Sequence, residues 1–99
     1  MAVEVIHSVR LYIAGAEDAL RSIDAKFEEM AKEANVQTSD VPCSVIMEEK
    51  YIDSNDVEHS ILFCMVSFFE HDNAKNFDKK MAGVISTAGC REIHESEVF

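Results

Sequence analysis

Residues 61–68 read Ile-Leu-Phe-Cys-Met-Val-Ser-Phe, and this run is apolar on both of its alternating faces. Ile61, Phe63 and Met65 fall on one side, with Leu62, Cys64, Val66 and Phe68 on the other. An extended segment of this kind belongs at the centre of a sheet, where neighbours cover both sides. The run is far shorter than the ~20 apolar residues that a membrane helix requires. The pattern therefore predicts a central strand over Val57 to Phe69, and the rest of the fold has to be arranged around it.

The flanking sequence supplies the partners. From Val3 to Ile13, Val3, Val5, Val9, Leu11 and Ile13 alternate with Glu4, Ser8 and Arg10, with His7 on the apolar side; a period of two predicts a half-buried strand. Leu20, Ile23, Phe27, Met30 and Ala34 recur at steps of three and four, which predicts a helix over Glu17 to Ala34. Glu17 and Asp18 suit its positive first turn, and Asn35 is the expected C-terminal cap. A second strand is expected from Cys43 to Ile52, joined to the central one by the turn-forming Asp53-Ser54-Asn55-Asp56. A second helix is expected from Ala74 to Ala88, capped by Asp72 or Asn73 and ended by Gly89. Arg91 to Phe99 alternates weakly and reads as a last edge strand, guarded by Glu92, Glu95 and Glu97.

Strand, helix, hairpin, helix, strand predicts an α+β, ferredoxin-like β-α-β-β-α-β domain spanning residues 1–99. It would have a four-stranded antiparallel sheet and both helices on one face. That arrangement leaves the other face bare while the central strand is apolar on both sides. The expectation is that a second copy or another protein covers it, with Arg10, Tyr12, Ile61, Phe63 and Met65 as the interface. The competing reading is that a loop or the C-terminal segment folds over the same face.

The 99 residues carry 9 basic and 19 acidic side chains, a net charge of −10, divided evenly between the two halves. Such a field disfavours nucleic acid and anionic membranes and favours a basic partner, although solubility alone accounts for many acidic domains. Three cysteines without a Cys-x-x-Cys spacing argue against a disulfide scaffold, and with no recognisable signal peptide the cytoplasm is the expected compartment.

Motifs for chemistry are sparse. His7, His59, His71, His94 and the cysteines show no zinc spacing, and the acidic Asp53–Glu58 stretch lacks the glycine of a calcium loop. Glu17 and Asp18 already occupy the helix N-terminus where an anion would sit. Cys64 reads as a buried hydrophobe, and Cys90 follows a helix C-terminus, which does not activate a thiol. No metal, cofactor or catalytic residue is assigned.

Leu11-Tyr12-Ile13-Ala14-Gly15 resembles the first-strand signature of the RNA-recognition motif, and Ile61 to Phe68 resembles its third-strand signature more loosely. The resemblance implies Tyr12, Phe63 and Met65 on the open face, where that family stacks bases. Ile61 and Leu62 stand where the family has a basic residue and glycine, Met65 replaces an aromatic, and the charge has the wrong sign for phosphate. A degenerate version of the motif used for protein contact is compatible with these residues. The expected function is a non-enzymatic protein-interaction module, dimerising or docking a partner, with a small acidic inhibitor of a nucleic-acid-binding protein as its sharper form. The alternative is a small-molecule-binding regulatory domain, or a small enzyme, with a pocket at a subunit seam.

Overall fold

The computed structural model describes residues 6–34 and 42–98. In chain order the elements are β1 (His7–Gly15), α1 (Glu17–Glu33), β2 (Cys43–Ile46), β3 (Tyr51–Ile52), β4 (Glu58–Phe68), α2 (His71–Thr87), β5 (Arg91–Ile93) and a 3-10 turn (Glu95–Glu97). Among the described residues the fold is α+β, with an open antiparallel sheet of five strands in the order β2-β4-β1-β5 and β3 also paired to β4.

The centre of the sheet is the long pairing of β1 with β4, running from His7 opposite Phe68 to Gly15 opposite Ser60. Val9, Leu11 and Ile13 from β1 join Leu62, Cys64, Val66 and Phe68 from β4 in one buried cluster. Both helices pack onto that cluster: α1 through Leu20, Ile23, Phe27 and Ala31, α2 through Ala74, Phe77, Met81 and Ile85. The helices thus lie on one face, and the even positions of β1 and odd positions of β4 turn to the other. Because the side-chain period is two, a slip of one residue would carry Arg10 and Ser8 into this core, so the register is strongly held. Phe77 stands at the junction of the layers, edge-on to Phe27 at 5.8 Å between ring centroids and tilted against Phe68 at 5.3 Å. Burying one such ring contributes roughly 1.5–3 kcal/mol.

Helix ends follow local chemistry. Gly89 has φ of +72°, and its N–H and that of Cys90 return to the carbonyls of Ser86 and Ile85, closing α2 in a Schellman turn. The start of α2 corrects the expectation of a first turn at Ala74. The Ala74 N–H already donates to the Glu70 carbonyl, so the helix begins at His71, Asp72 lies inside its first turn, and Glu70 takes the cap position with no side-chain capping bond.

Two further expectations are corrected. The sheet has five strands, not four, because the strand expected over Cys43–Ile52 is broken. Residues 47–50 lie between pairs Ile46–Leu62 and Tyr51–His59, so four residues face only residues 60 and 61 of β4. Glu48, Glu49 and Lys50 are all exposed, and three charges in succession cannot alternate in and out of a half-buried sheet. The last strand is also shorter than Arg91–Phe99. Pairing stops at Ile93, and the chain turns away at His94, whose ring nitrogen accepts from the Ser96 N–H while Glu97 accepts from the His94 N–H. Residues 3–5 of the expected first strand, the Asn35 cap and Phe99 lie outside the described residues.

Candidate functional site

The helix-free face is built by register. Ser8, Arg10, Tyr12 and Ala14 of β1 stand opposite Ser67, Met65, Phe63 and Ile61 of β4. Cys43 and Val45 of β2 extend the rows of Met65 and Phe63 to one side, and Ile93 and Arg91 of β5 extend those of Tyr12 and Ala14 to the other. Tyr51 of β3 opposite His59 completes the face. None of these fourteen strand positions carries a carboxylate, although 19 of the 99 residues are Asp or Glu.

One end of the face is sealed by the chain itself. Ala14, Ile61 and Ile93 form a second buried cluster under Tyr12, Met47, Tyr51 and Val98. Ile61 is 0% exposed, so it supports the face from beneath and presents nothing to a partner, a correction to its expected place in an interface. The Arg91 guanidinium donates to the Tyr51 hydroxyl at 2.7 Å, stands 5.3 Å from the centroid of that ring, and contacts Glu97 at 3.4 Å. The C-terminal turn is therefore part of the seal, as the competing reading expected, but it covers only this end.

The rest of the face is open to differing degrees. Tyr12 and Phe63 stack with ring centroids 5.0 Å apart, and both are half-buried, as is Met65. Arg10, Cys43 and Val45 are exposed, Val45 at 56%. The buried Ser67 hydroxyl is satisfied by Ser8 at 2.9 Å. Among the residues expected to form an interface, Arg10, Tyr12, Phe63 and Met65 share this face, whereas Cys43, Val45, Tyr51 and Arg91 were not anticipated there. The alternation of Cys43 and Val45 with Ser44 and Ile46 carried that information. On the opposite side of β2, the Ser44 hydroxyl donates to Asp24 of α1.

Titratable groups show where chemistry is discouraged. Burial pushes the Cys64 thiol up to about 12, and burial also raises Cys90. The Cys64 thiol is therefore no nucleophile near neutral pH. Asp53 is held below its ordinary value, first by its hydrogen bond with His59 at 2.8 Å and then by the Val57 N–H. It also accepts from the Asn55 N–H, which makes it the organising side chain of the β3–β4 turn. Glu92 is raised by burial and by the neighbouring charge of Asp78.

Among the described residues no group of three or more His, Cys, Asp or Glu is placed to hold a metal ion, and no helix is long and apolar enough to cross a membrane. No family model matches the chain, and neither a curated protein nor a solved structure does.

Proposed function

We propose that the chain is a non-enzymatic interaction module that associates with a second copy of itself through the helix-free sheet face. The observation that carries this reading is the lack of any carboxylate at the fourteen strand positions of that face in a chain of net charge −10. Two such chains repel each other over most approaches, so the face whose strand positions carry no acid is the approach of least repulsion. Tyr12, Phe63, Met65 and Val45 supply the apolar centre, and Arg10 at the rim can reach acidic side chains of the partner copy.

Size sets the expected strength. Four strands about 4.8 Å apart and roughly six residues long give a flat area on the order of 400 Å² per copy, part of it already under Tyr51 and Val98. That is at or below the low end for stable interfaces, so the association is weak and reversible. We further infer a ferredoxin-like arrangement in which β2 and β3 are two halves of one interrupted edge strand. Their common antiparallel pairing to β4 supports this.

Light scattering coupled to gel filtration, under reducing conditions so that Cys43 cannot cross-link, tests the function. The wild-type chain should shift from monomer towards dimer as concentration rises through the micromolar range, and Met65→Asp and Val45→Asp should remain monomeric. A strictly monomeric wild type at millimolar concentration, or variants that dimerise as well as it does, would overturn the proposal.

A further inference from the structure

A second surface lies along one edge of β1 and shares Ser8 and Arg10 with the face described above. β4 pairs with the whole of β1, but on the other side β5 reaches only Tyr12, Ile13 and Ala14. Among the described residues, His7 to Leu11 have no strand beside them on that side. Five residues is the length of an ordinary strand, so the gap has room for one. The gap is also a groove: the exposed edge of β1 forms one wall and the first turns of α2 the other. Val9 and Ala74, both nearly buried, line it, and they leave a shallow apolar strip between the walls.

The groove carries charges of both signs. Arg10 and Lys75 flank the unpaired stretch, with His7 and His71 beside them, their rings 5.2 Å apart. Asp78 and Glu92 stand towards the end that β5 already closes, since Glu92 pairs with Ile13. In a chain of net charge −10, Arg10 and Lys75 put two cations beside the open stretch, which complements an acidic side chain placed there.

We infer that this edge takes up an extended acidic peptide, which adds to β1 as an antiparallel strand in line with β5. Backbone bonds to the free edge would give affinity, and a carboxylate beside Arg10 would set register. The chain's own sequence indicates the fit. The register of Tyr12 opposite Ile93, carried two residues further along both strands, puts position 95 opposite Arg10, and that residue is Glu95. Glu95 does not occupy the place here. The His94 and Glu97 capping bonds divert the segment into its 3-10 turn, and Val98 packs on the second cluster.

The test uses the full-length, isotope-labelled chain and an acetylated, amidated peptide copying residues 94–98. Amide shifts that saturate and map to Ser8–Leu11, with slowed hydrogen exchange there, are the expected result. A peptide with both glutamates changed to lysine should bind roughly tenfold more weakly or worse, and so should the copying peptide to Lys75→Glu or Arg10→Glu. Arg10 and Lys75 are exposed, so these variants should keep the fold, which the unperturbed amides report. No saturable shift at millimolar peptide, shifts confined to Tyr12, Phe63 and Met65, or equal binding of the lysine peptide would overturn the inference. Lys75 lies on α2, away from the helix-free face, so loss of peptide binding in Lys75→Glu with dimerisation unchanged keeps the failure of this inference distinguishable from that of the proposed function.

Discussion

Arg91 and Tyr51, forty residues apart in sequence, meet over the far end of the sheet, with the guanidinium donating to the phenol oxygen at 2.7 Å. Beneath them lie Ala14, Ile61 and Ile93, the part of the second face that the chain shields by itself. Tyr51→Ala should strip that cover and destabilise the fold by about 2 kcal/mol, below the cost of a fully buried ring because Tyr51 is only half-buried. Tyr51→Phe keeps the cover and loses one exposed hydrogen bond, at a cost of about 0.5 kcal/mol. Urea titration measures both. A hydrophobic dye should bind Tyr51→Ala and not Tyr51→Phe, since only the first uncovers Ile61.

Gly15 ends β1 against Cys90. A Cβ placed there would stand 2.5 Å from the Cys90 sulfur and 3.3 Å from its Cβ. Gly15→Ala should therefore destabilise by about 1 kcal/mol, since the sulfur must rotate away from its half-buried site. Cys90→Ala removes the closer obstacle, so the double variant should recover most of the loss. A double-mutant cycle in urea with no coupling between the two positions would contradict this contact.

Three thiols in three environments should react in order. Cys43 is exposed on the edge strand, Cys90 is partly buried, and Cys64 is fully buried with its thiol pushed up to about 12. A thiol reagent at pH 8 should modify Cys43 first, Cys90 more slowly, and Cys64 only at the rate of global unfolding. Mass spectrometry of timed digests reads the order. Early modification of Cys64 would mean that α1 and β4 part locally without unfolding.

Much of the architecture was legible because its signals are periodic. The 3.6-residue stripe from Leu20 to Ala34 and the alternation of Val9, Leu11 and Ile13 each specify one buried side without help from the rest of the chain, although Ala31 is buried more fully than Met30. Features decided by competition between segments were less legible. The break at residues 47–50 depends on what β4 offers opposite, and the early start of α2 depends on a carbonyl at Glu70 that no side-chain preference marks. The same holds for the candidate face. Arg10, Tyr12, Phe63 and Met65 could be placed there by parity alone. The burial of Ile61 follows only from the competing reading, in which the chain covers part of this face, because Tyr51 and Val98 reach it only after β3 and the C-terminal turn have formed.

The β3–β4 turn makes stability depend on pH through Asp53. Its carboxylate accepts from the Asn55 and Val57 N–H groups and bonds His59, and Asp56 closes the turn with φ of +60°. These bonds favour the ionised form, so the folded pKa lies below the unfolded one. A depressed carboxylate pKa contributes stability that is complete above the unfolded value and is lost as pH falls through the folded value. Asp53→Asn keeps one side-chain acceptor for the turn but cannot carry the charge. The wild type should therefore be the more stable of the two near neutrality, and the gap should close on acidification through and below the ordinary carboxylate range. Urea midpoints for both proteins between neutral pH and pH 3 give the comparison. A gap that stays constant across the series would show that the turn depends on the geometry of Asp53 and not on its ionisation.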